Sequence, residues 1–253
     1  MADKQPADKQ PEKTPFGKSD GFRRVKLALK RLIGREPRLK TDVTIPLERF
    51  GAWRVCTGML SEGGIVYSLG VGEDIDLDLA LIRLKNMQVH AFDPTPNSVD
   101  FLQRQPLPAG LHFHPWAVGA TDGSMFFYPR QLRDGSRSQT MYTLVADPAT
   151  EQDRLEVPVK SIATITQELG HSEIDVFKMD IEGAEYDVLE GLLVSTLRPW
   201  QLLIEFHHRH AGLDPAQTIA AVDDLRKAGY ALADISSTGR EFTFLLKTAL
   251  DQT

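Results

Sequence analysis

The 253-residue chain, 42% hydrophobic and 25% charged with a net charge of −6, is long enough for one large α/β body and short for two independent cores. No apolar run is long enough to span a bilayer, and the opening MADKQPADKQPEKTP lacks the apolar centre of a secretory signal. The single cysteine, Cys56, excludes an internal disulfide, fits a reducing, cytoplasmic setting and reads as a small buried residue.

Charge is unevenly distributed. Residues 1–40 hold 12 Lys/Arg against 5 Asp/Glu, whereas the remainder holds 17 against 30. An acidic body repels a phosphate backbone, so nucleic acid is not expected as the substrate. The chain opens with a tandem repeat, Ala2–Pro6 and then Ala7–Pro11, too polar and proline-bearing to fold alone. Residues 1–40 therefore read as a basic tail ahead of a folded domain at 41–253. Within the tail, Phe22, Val25, Leu29, Leu32 and Ile33 recur at helical spacing, with Arg23, Arg24, Lys26, Lys30 and Arg31 on the polar side. Such a basic amphipathic helix over 22–33 suits docking on an acidic protein surface or peripheral contact with an anionic membrane.

From residue 64 onward, strand and helix signals alternate. Short apolar runs at 65–69, 88–92, 111–114, 175–179 and 202–206 suit strands covered on both faces, and 230–235 with 242–246 closes the series as a hairpin. Ile75–Leu79 alternates like a strand, but Ala80–Lys85 continues it with helix formers, so a helix is predicted there. A second helix is marked by Ala184, Val188, Leu189, Leu192 and Leu193. A third starts at Asp214-Pro215-Ala216-Gln217, an N-cap, a first-turn proline and a capping-box glutamine, and stops at Gly229. Residues 115–160 are too long for a simple connection, and Asp122-Gly123 reads as a turn inside an inserted β-excursion. The fold class expected is α/β: a doubly wound, mostly parallel seven-stranded sheet with a terminal β-hairpin.

In such a sheet, ligands bind beyond the carboxyl ends of the strands. The first strand ends in Gly70-Val71-Gly72-Glu73-Asp74, where Gly70 and Gly72 let the backbone turn sharply and approach a ligand. The second ends in Asp93, placed for the hydroxyls of an adenosine ribose. The fourth ends in Lys178-Met179-Asp180-Ile181-Glu182-Gly183-Ala184-Glu185. Helix-dipole complementarity explains Glu182 and Glu185 but not Asp180, which faces the crevice.

Asp175 to Glu185, followed by Val188-Leu189-Glu190-Gly191, resembles the signature of the FkbM-type methyltransferases, and Val89 to Pro96 resembles that family's second motif with Asp93 in place of its usual Glu. The likeness spans roughly residues 64–246. The first motif departs from the family: Ser68-Leu69-Gly70-Val71-Gly72-Glu73-Asp74 replaces the common Asp-x-Gly-Ala-Asn-x-Gly pattern. The resemblance implies the Rossmann-like class I methyltransferase fold, S-adenosylmethionine (SAM) as cofactor and a hydroxyl oxygen, of a small molecule or glycan, as methyl acceptor. Charge points the same way. An acidic crevice with Glu73, Asp74, Asp93 and Asp180 attracts a sulfonium and an ammonium, whereas Glu73-Asp74 would repel the pyrophosphate of NAD.

The fifth strand ends in Glu205-Phe206-His207-His208-Arg209-His210. A hydroxyl must lose its proton as it is methylated, so either His207 or His208 is a candidate base, with Glu205 to orient it. The spacing of Asp180, Glu182 and these histidines matches no compact metal-binding motif, so no metal is expected. Trp116 reads either as a core residue or as a flank for the adenine ring. The competing readings are a non-catalytic scaffold on the same fold, for which the altered first motif would be the sign, and a nicotinamide-dependent oxidoreductase.

Overall fold

The computed structural model describes residues 20–131, 135–143, 150–210 and 212–250; the tandem repeat at 2–11 lies outside them. In chain order, helix α1 (Asp20–Leu32) is followed by a hairpin of β1 (Glu48–Phe50) and β2 (Trp53–Val55). Then come β3 (Ile65–Leu69), α2 (Asp76–Lys85), β4 (Gln88–Phe92), α3 (Pro96–Gln103) and β5 (Leu111–His114). An excursion follows, of β6 (Ala117–Gly119), β7 (Gly123–Gln131), β8 (Arg137–Thr143) and β9 (Leu155–Ser161). The chain returns through α4 (Ile162–Leu169), β10 (Val176–Met179), α5 (Glu185–Val194), β11 (Gln201–Glu205), α6 (Pro215–Lys227), β12 (Tyr230–Ile235), β13 (Glu241–Leu246) and α7 (Lys247–Leu250).

The central sheet has seven strands in the order β12-β13-β11-β10-β3-β4-β5. Its pairs are parallel from β11 to β5, and β13 alone runs against its neighbours β11 and β12. This is the predicted seven-stranded, mostly parallel, doubly wound sheet with its terminal hairpin. Side chains alternate faces along each strand, which is why the runs are continuously apolar. Tyr67, Leu69, Phe177, Met179, Leu202 and Ile204 enter one core beneath α4, α5 and α6. Val66, Val89, Val176 and Leu203 enter the other, against Leu77 and Leu81 of α2 and Trp53 and Val55 of β2.

Local signals set the boundaries. Asp214 accepts hydrogen bonds from the N–H groups of Ala216 and Gln217 while Gln217 Oε1 accepts from the Asp214 N–H, so α6 starts with the predicted capping box. The helix reading of 76–85 also holds. In the excursion, the expected turn at Asp122-Gly123 does not join two paired strands. The four-stranded order is β6-β9-β7-β8, with β9 between β6 and β7. Asp122 is used elsewhere: its carboxylate accepts from Ser161 N (2.7 Å) and Thr164 Oγ1 (2.6 Å), tying the turn to the start of α4.

Packed contacts reach upstream of residue 41. Leu27 of α1 is buried against Gly239, and Glu36 is buried against the loop that follows β11. Cys56 is buried, with its N–H donating to Gln201 Oε1 at 2.8 Å. Among the described residues, no helix is long and apolar enough to cross a membrane.

Candidate active site

The carboxyl ends of β3, β4 and β10 converge on a cavity of about 410 Å³, at the point where chain order reverses between β3 and β10. Its floor is the 70–74 loop, one side is Asp93-Pro94-Thr95, and Asp180 to Glu182 form the other. Trp116, Met125, Phe127 and Tyr142 line it from the excursion sheet and the segment leading into it, which gives the inserted sheet a role as a wall of the site. Lys160 Nζ lies 3.6 Å from the centre of the Trp116 ring, so a cation already covers one face of this side chain.

The two glycines of the first loop do different work. Gly70 has φ +71°, and a Cβ there would sit 1.7 Å from the Asp180 carbonyl oxygen. It is required so that the loops after β3 and β10 can touch, and Lys178 Nζ donates to its carbonyl at 2.7 Å. Gly72, at φ +58°, has open space around its Cβ position and gives its N–H to Asp93 Oδ2 at 2.9 Å. Asp93 Oδ1 accepts from Thr95 N (2.9 Å) and Thr95 Oγ1 (2.6 Å). A carboxylate has about four acceptor positions, so three internal bonds leave about one for a ligand. Glu73 is exposed at the rim, and Asp74 Oδ1 accepts from Asp76 N, helping to start α2.

Beside the cavity lies a second constellation. His207, 4% exposed, donates from Nδ1 to Glu185 Oε1 at 2.8 Å. Glu185 is fully buried and its Oε1 also accepts from the N–H groups of Ile181 and Gly183, which fixes its position. The other ring nitrogen, Nε2, faces Asp180 Oδ1 at 3.7 Å, Glu205 Oε1 at 3.8 Å and Glu182 Oε2 at 4.0 Å. Arg240, from the β12–β13 turn, holds Glu205 Oε1 at 2.6 Å. Glu182 adopts the left-handed conformation (φ +55°), which turns the chain sharply between Asp180 and α5.

The electrostatics follow from crowding. Burial lowers the affinity of His207 for a proton, but the Glu185 hydrogen bond and the charges of Glu185, Glu182 and Asp180 outweigh it, raising its pKa to about 9. Burial and the neighbouring Asp180 push Glu205 up to about 7 against the pull of Arg240. Burial likewise raises Asp180, against the opposing charges of Lys178 and His207. Several carboxylates thus share one small volume with too little positive charge.

Of the residues singled out in the sequence, Gly70, Gly72, Glu73, Asp93 and Asp180 line one cavity, and His207 stands behind Asp180. His208 does not join them. Its Nε2 donates to Glu36 Oε2 at 2.9 Å and its side chain is fully buried, because Glu205 and His207 project toward the crevice while His208 takes the opposite side. That position corrects the choice of His208 as a candidate base. The carboxylates around His207 favour its protonated form, which weakens it as a base relative to a free imidazole. Neither Arg240 nor the bond between Glu185 and His207 is readable from the sequence, since these partners lie 35 and 22 positions from Glu205 and His207. Asp180, Glu205 and His207 each bring a ligand-type atom within 4.8 Å of the others, as do Glu182, His207 and His210. No motif spacing reveals these sets, because separate strand ends supply them.

A glycine-floored cavity, an aspartate after the second strand and an acidic β10 end, all on the doubly wound sheet, define a class I methyltransferase. The FkbM methyltransferase domain model matches residues 70–232, and the chain belongs to that family. Its cofactor is SAM. The residues fit that group: open space at Gly72 admits a ligand close to the backbone, and Glu73, Asp74, Asp180 and Glu182 surround a cavity suited to a cationic molecule. The chain is 27% identical over 160 residues to probable methyltransferase-like protein 24 of Homo sapiens, and 26% over 159 residues to that of Rattus norvegicus. These matches take in 62% of this chain and 36% of either relative, so the chain spans about a third of their length. Similar solved structures include a fibrillarin pre-rRNA processing protein of Methanococcus jannaschii (TM-score 0.44, 12% identity, 80% of this chain and 71% of that one). Another is a putative SAM-dependent methyltransferase of Listeria monocytogenes (TM-score 0.38, 9% identity, 75% and 92%).

Proposed function

We propose that the protein transfers a methyl group from SAM to a hydroxyl oxygen of a small molecule or glycan. The observation that carries this reading is the placement of Asp180 in both the cavity wall and the buried acid–imidazole cluster, 3.7 Å from His207 Nε2. When bound, SAM supplies an electrophilic methyl on a sulfonium. Asp93 accepts a hydrogen bond from the ribose through its remaining acceptor position, and the acidic rim of Glu73, Asp74 and Glu182 attracts the cationic centres. With SAM held in this cavity, the Asp180–Glu205–His207 cluster would stand where it could take up the proton of an acceptor hydroxyl that receives the methyl group. The negative surroundings disfavour a phosphate-rich acceptor.

Two measurements follow. Incubation with radiolabelled SAM and separate pools of hydroxylated small molecules, glycans and RNA should put label into one of the first two; label in RNA alone would overturn the acceptor class. Asp93→Ala should weaken SAM binding about tenfold or more, a loss of about 1.4 kcal/mol or greater. Unchanged affinity in a folded variant would remove Asp93 from the cofactor site.

We also propose that α1 rests on an anionic membrane surface. Leu27 faces the body, while Val25, Leu29, Leu32 and Ile33 are 59–69% exposed on the opposite side. Lys26 borders this row on one edge, and Arg24 and Arg31 lie beyond the other. That arrangement suits insertion of the apolar row among acyl chains with the cations at phosphate depth. Vesicles containing phosphatidylserine should co-sediment the full chain, and Leu29→Glu with Leu32→Glu should abolish most of the binding. Equal binding to neutral vesicles, or none to anionic ones, would contradict it.

A further inference from the structure

His207 is nine-tenths buried with one ring nitrogen satisfied and the other aimed at three carboxylates. The distances of 3.7, 3.8 and 4.0 Å from Nε2 to Asp180, Glu205 and Glu182 all exceed hydrogen-bond reach. Such spacings are too long for a donor and its acceptor but match those between neighbouring ligands of one ion. With metal–ligand bonds of about 2.0–2.2 Å, two ligands of one ion stand about 3–4 Å apart.

From this geometry we infer that Asp180, Glu205 and His207 form a binding site for a divalent first-row metal cation, beside the cofactor cavity.

Three further features fit. The Nδ1–H of His207 is held by a carboxylate, the arrangement that presents the opposite nitrogen of a metal-binding imidazole in a fixed direction. Glu185 supplies that carboxylate and is anchored by two backbone N–H groups, so the direction is set before any ion arrives. Arg240 pins Glu205 through Oε1 but leaves it acceptor positions to offer an ion. The three ligands come from the ends of β10 and β11, on elements buried in the sheet, and the mixed oxygen and nitrogen set suits Mn²⁺ or Zn²⁺ better than Ca²⁺. Because Asp180 also lines the cavity, an ion there can hold the oxygen of an acceptor hydroxyl next to the donor methyl. As a Lewis acid it lowers the pKa of that hydroxyl, and the released proton passes to solvent or a neighbouring carboxylate. This function for the ion rests on the hydroxyl-methylation reading above; the site itself does not.

The test uses the full chain stripped with chelator and titrated with Mn²⁺, followed by electron paramagnetic resonance. About one Mn²⁺ per chain is expected, with imidazole nitrogen coupling in the pulsed spectrum. His207→Gln should remove that coupling and, like Glu205→Gln, weaken the ion at least about tenfold, while SAM affinity and the circular dichroism spectrum stay as in the parent. Absence of Mn²⁺ and Zn²⁺ binding in a chain that binds SAM overturns the metal site and leaves the methyltransferase reading standing. Binding with no nitrogen coupling, or binding unchanged in both variants, overturns it equally. Metal binding with methyl transfer only to a non-hydroxyl acceptor upholds the site and defeats the acceptor assignment instead.

Discussion

Gly70→Ala is expected to unfold the crevice, with a loss of about 4 kcal/mol or more, while Gly72→Ala costs only about 1 kcal/mol. The two positions share a left-handed backbone, at φ +71° and +58°, so conformational preference alone predicts similar costs. Space separates them. A Cβ on Gly70 would lie 1.7 Å from the Asp180 carbonyl oxygen and 2.6 Å from its carbon, whereas one on Gly72 meets nothing within 4 Å. Relief at Gly70 requires β3 and β10 to part. It therefore threatens the bonds from Gly70 N to Phe92 O and from Asp180 N to Leu69 O, and the hold of Lys178 on the loop. In a chain of this size 1 kcal/mol shifts Tm by roughly 2–4 °C. Thermal unfolding should therefore show Gly72→Ala a few degrees low and Gly70→Ala more than about 10 °C low or insoluble. Equal shifts would mean that the two loops separate freely.

Glu36→Ala is the second large effect. Glu36 Oε2 accepts from His208 Nε2 at 2.9 Å, and its Oε1 accepts from Arg209 Nε at 2.7 Å and Lys30 Nζ at 3.1 Å, with the side chain 1% exposed. Removing it leaves the buried His208 without its acceptor and the partly exposed Arg209 and Lys30 without their anion, at a cost of about 3 kcal/mol. The same contact gives a pH signature. Burial raises the carboxyl, but the bonds from His208, Arg209 and Lys30 outweigh it and hold the pKa at about 2, below its ordinary 4.5. A carboxylate with a lowered folded-state pKa stabilises the fold above its unfolded value and loses that contribution as pH falls. The parent should therefore lose on the order of 2 kcal/mol between pH 4.5 and 2 through this group. Glu36→Gln should start lower and fall less over that interval in urea titrations. Parallel curves for parent and variant would sink the assignment. The loop restrained by Glu36 carries His207 two residues before Arg209, so Glu36→Ala should also loosen the acid–imidazole cluster.

The sheet was legible because most of its strands are buried on both faces: five short apolar runs, stopped by Gly70, Asp93, Pro115, Asp180 and a histidine cluster, read as covered parallel strands. The ends of those strands also exposed Gly70, Gly72, Asp93 and Asp180. The β1–β2 hairpin escaped notice because Glu48–Phe50 and Trp53–Val55 are three residues each and carry charges, and their value lies in packing Trp53 and Val55 on a distant core. Helix α4 had readable signals: Ser161 Oγ accepts from Thr164 N at its start, and Gly170 caps its end at φ +72°. Their place in a long excursion hid them. His208 misled because sequence shows residue type and alternation but not which face is already taken; its partner Glu36 lies 172 positions upstream. The charge balance around His207 was hidden too, since the run 180–185 and Glu205 meet around its ring only once β10 and β11 are paired.

The central claim is that this acidic, glycine-floored cavity holds SAM despite its departure from the family's usual first motif. Isothermal titration of the full chain with SAM, S-adenosylhomocysteine and NAD tests it most directly. The structure leads us to expect micromolar binding of both sulfur ligands and no heat from NAD, whose pyrophosphate meets Glu73 and Asp74. Absence of binding by either sulfur ligand would contradict the account and favour a non-catalytic scaffold; binding of NAD alone would favour an oxidoreductase.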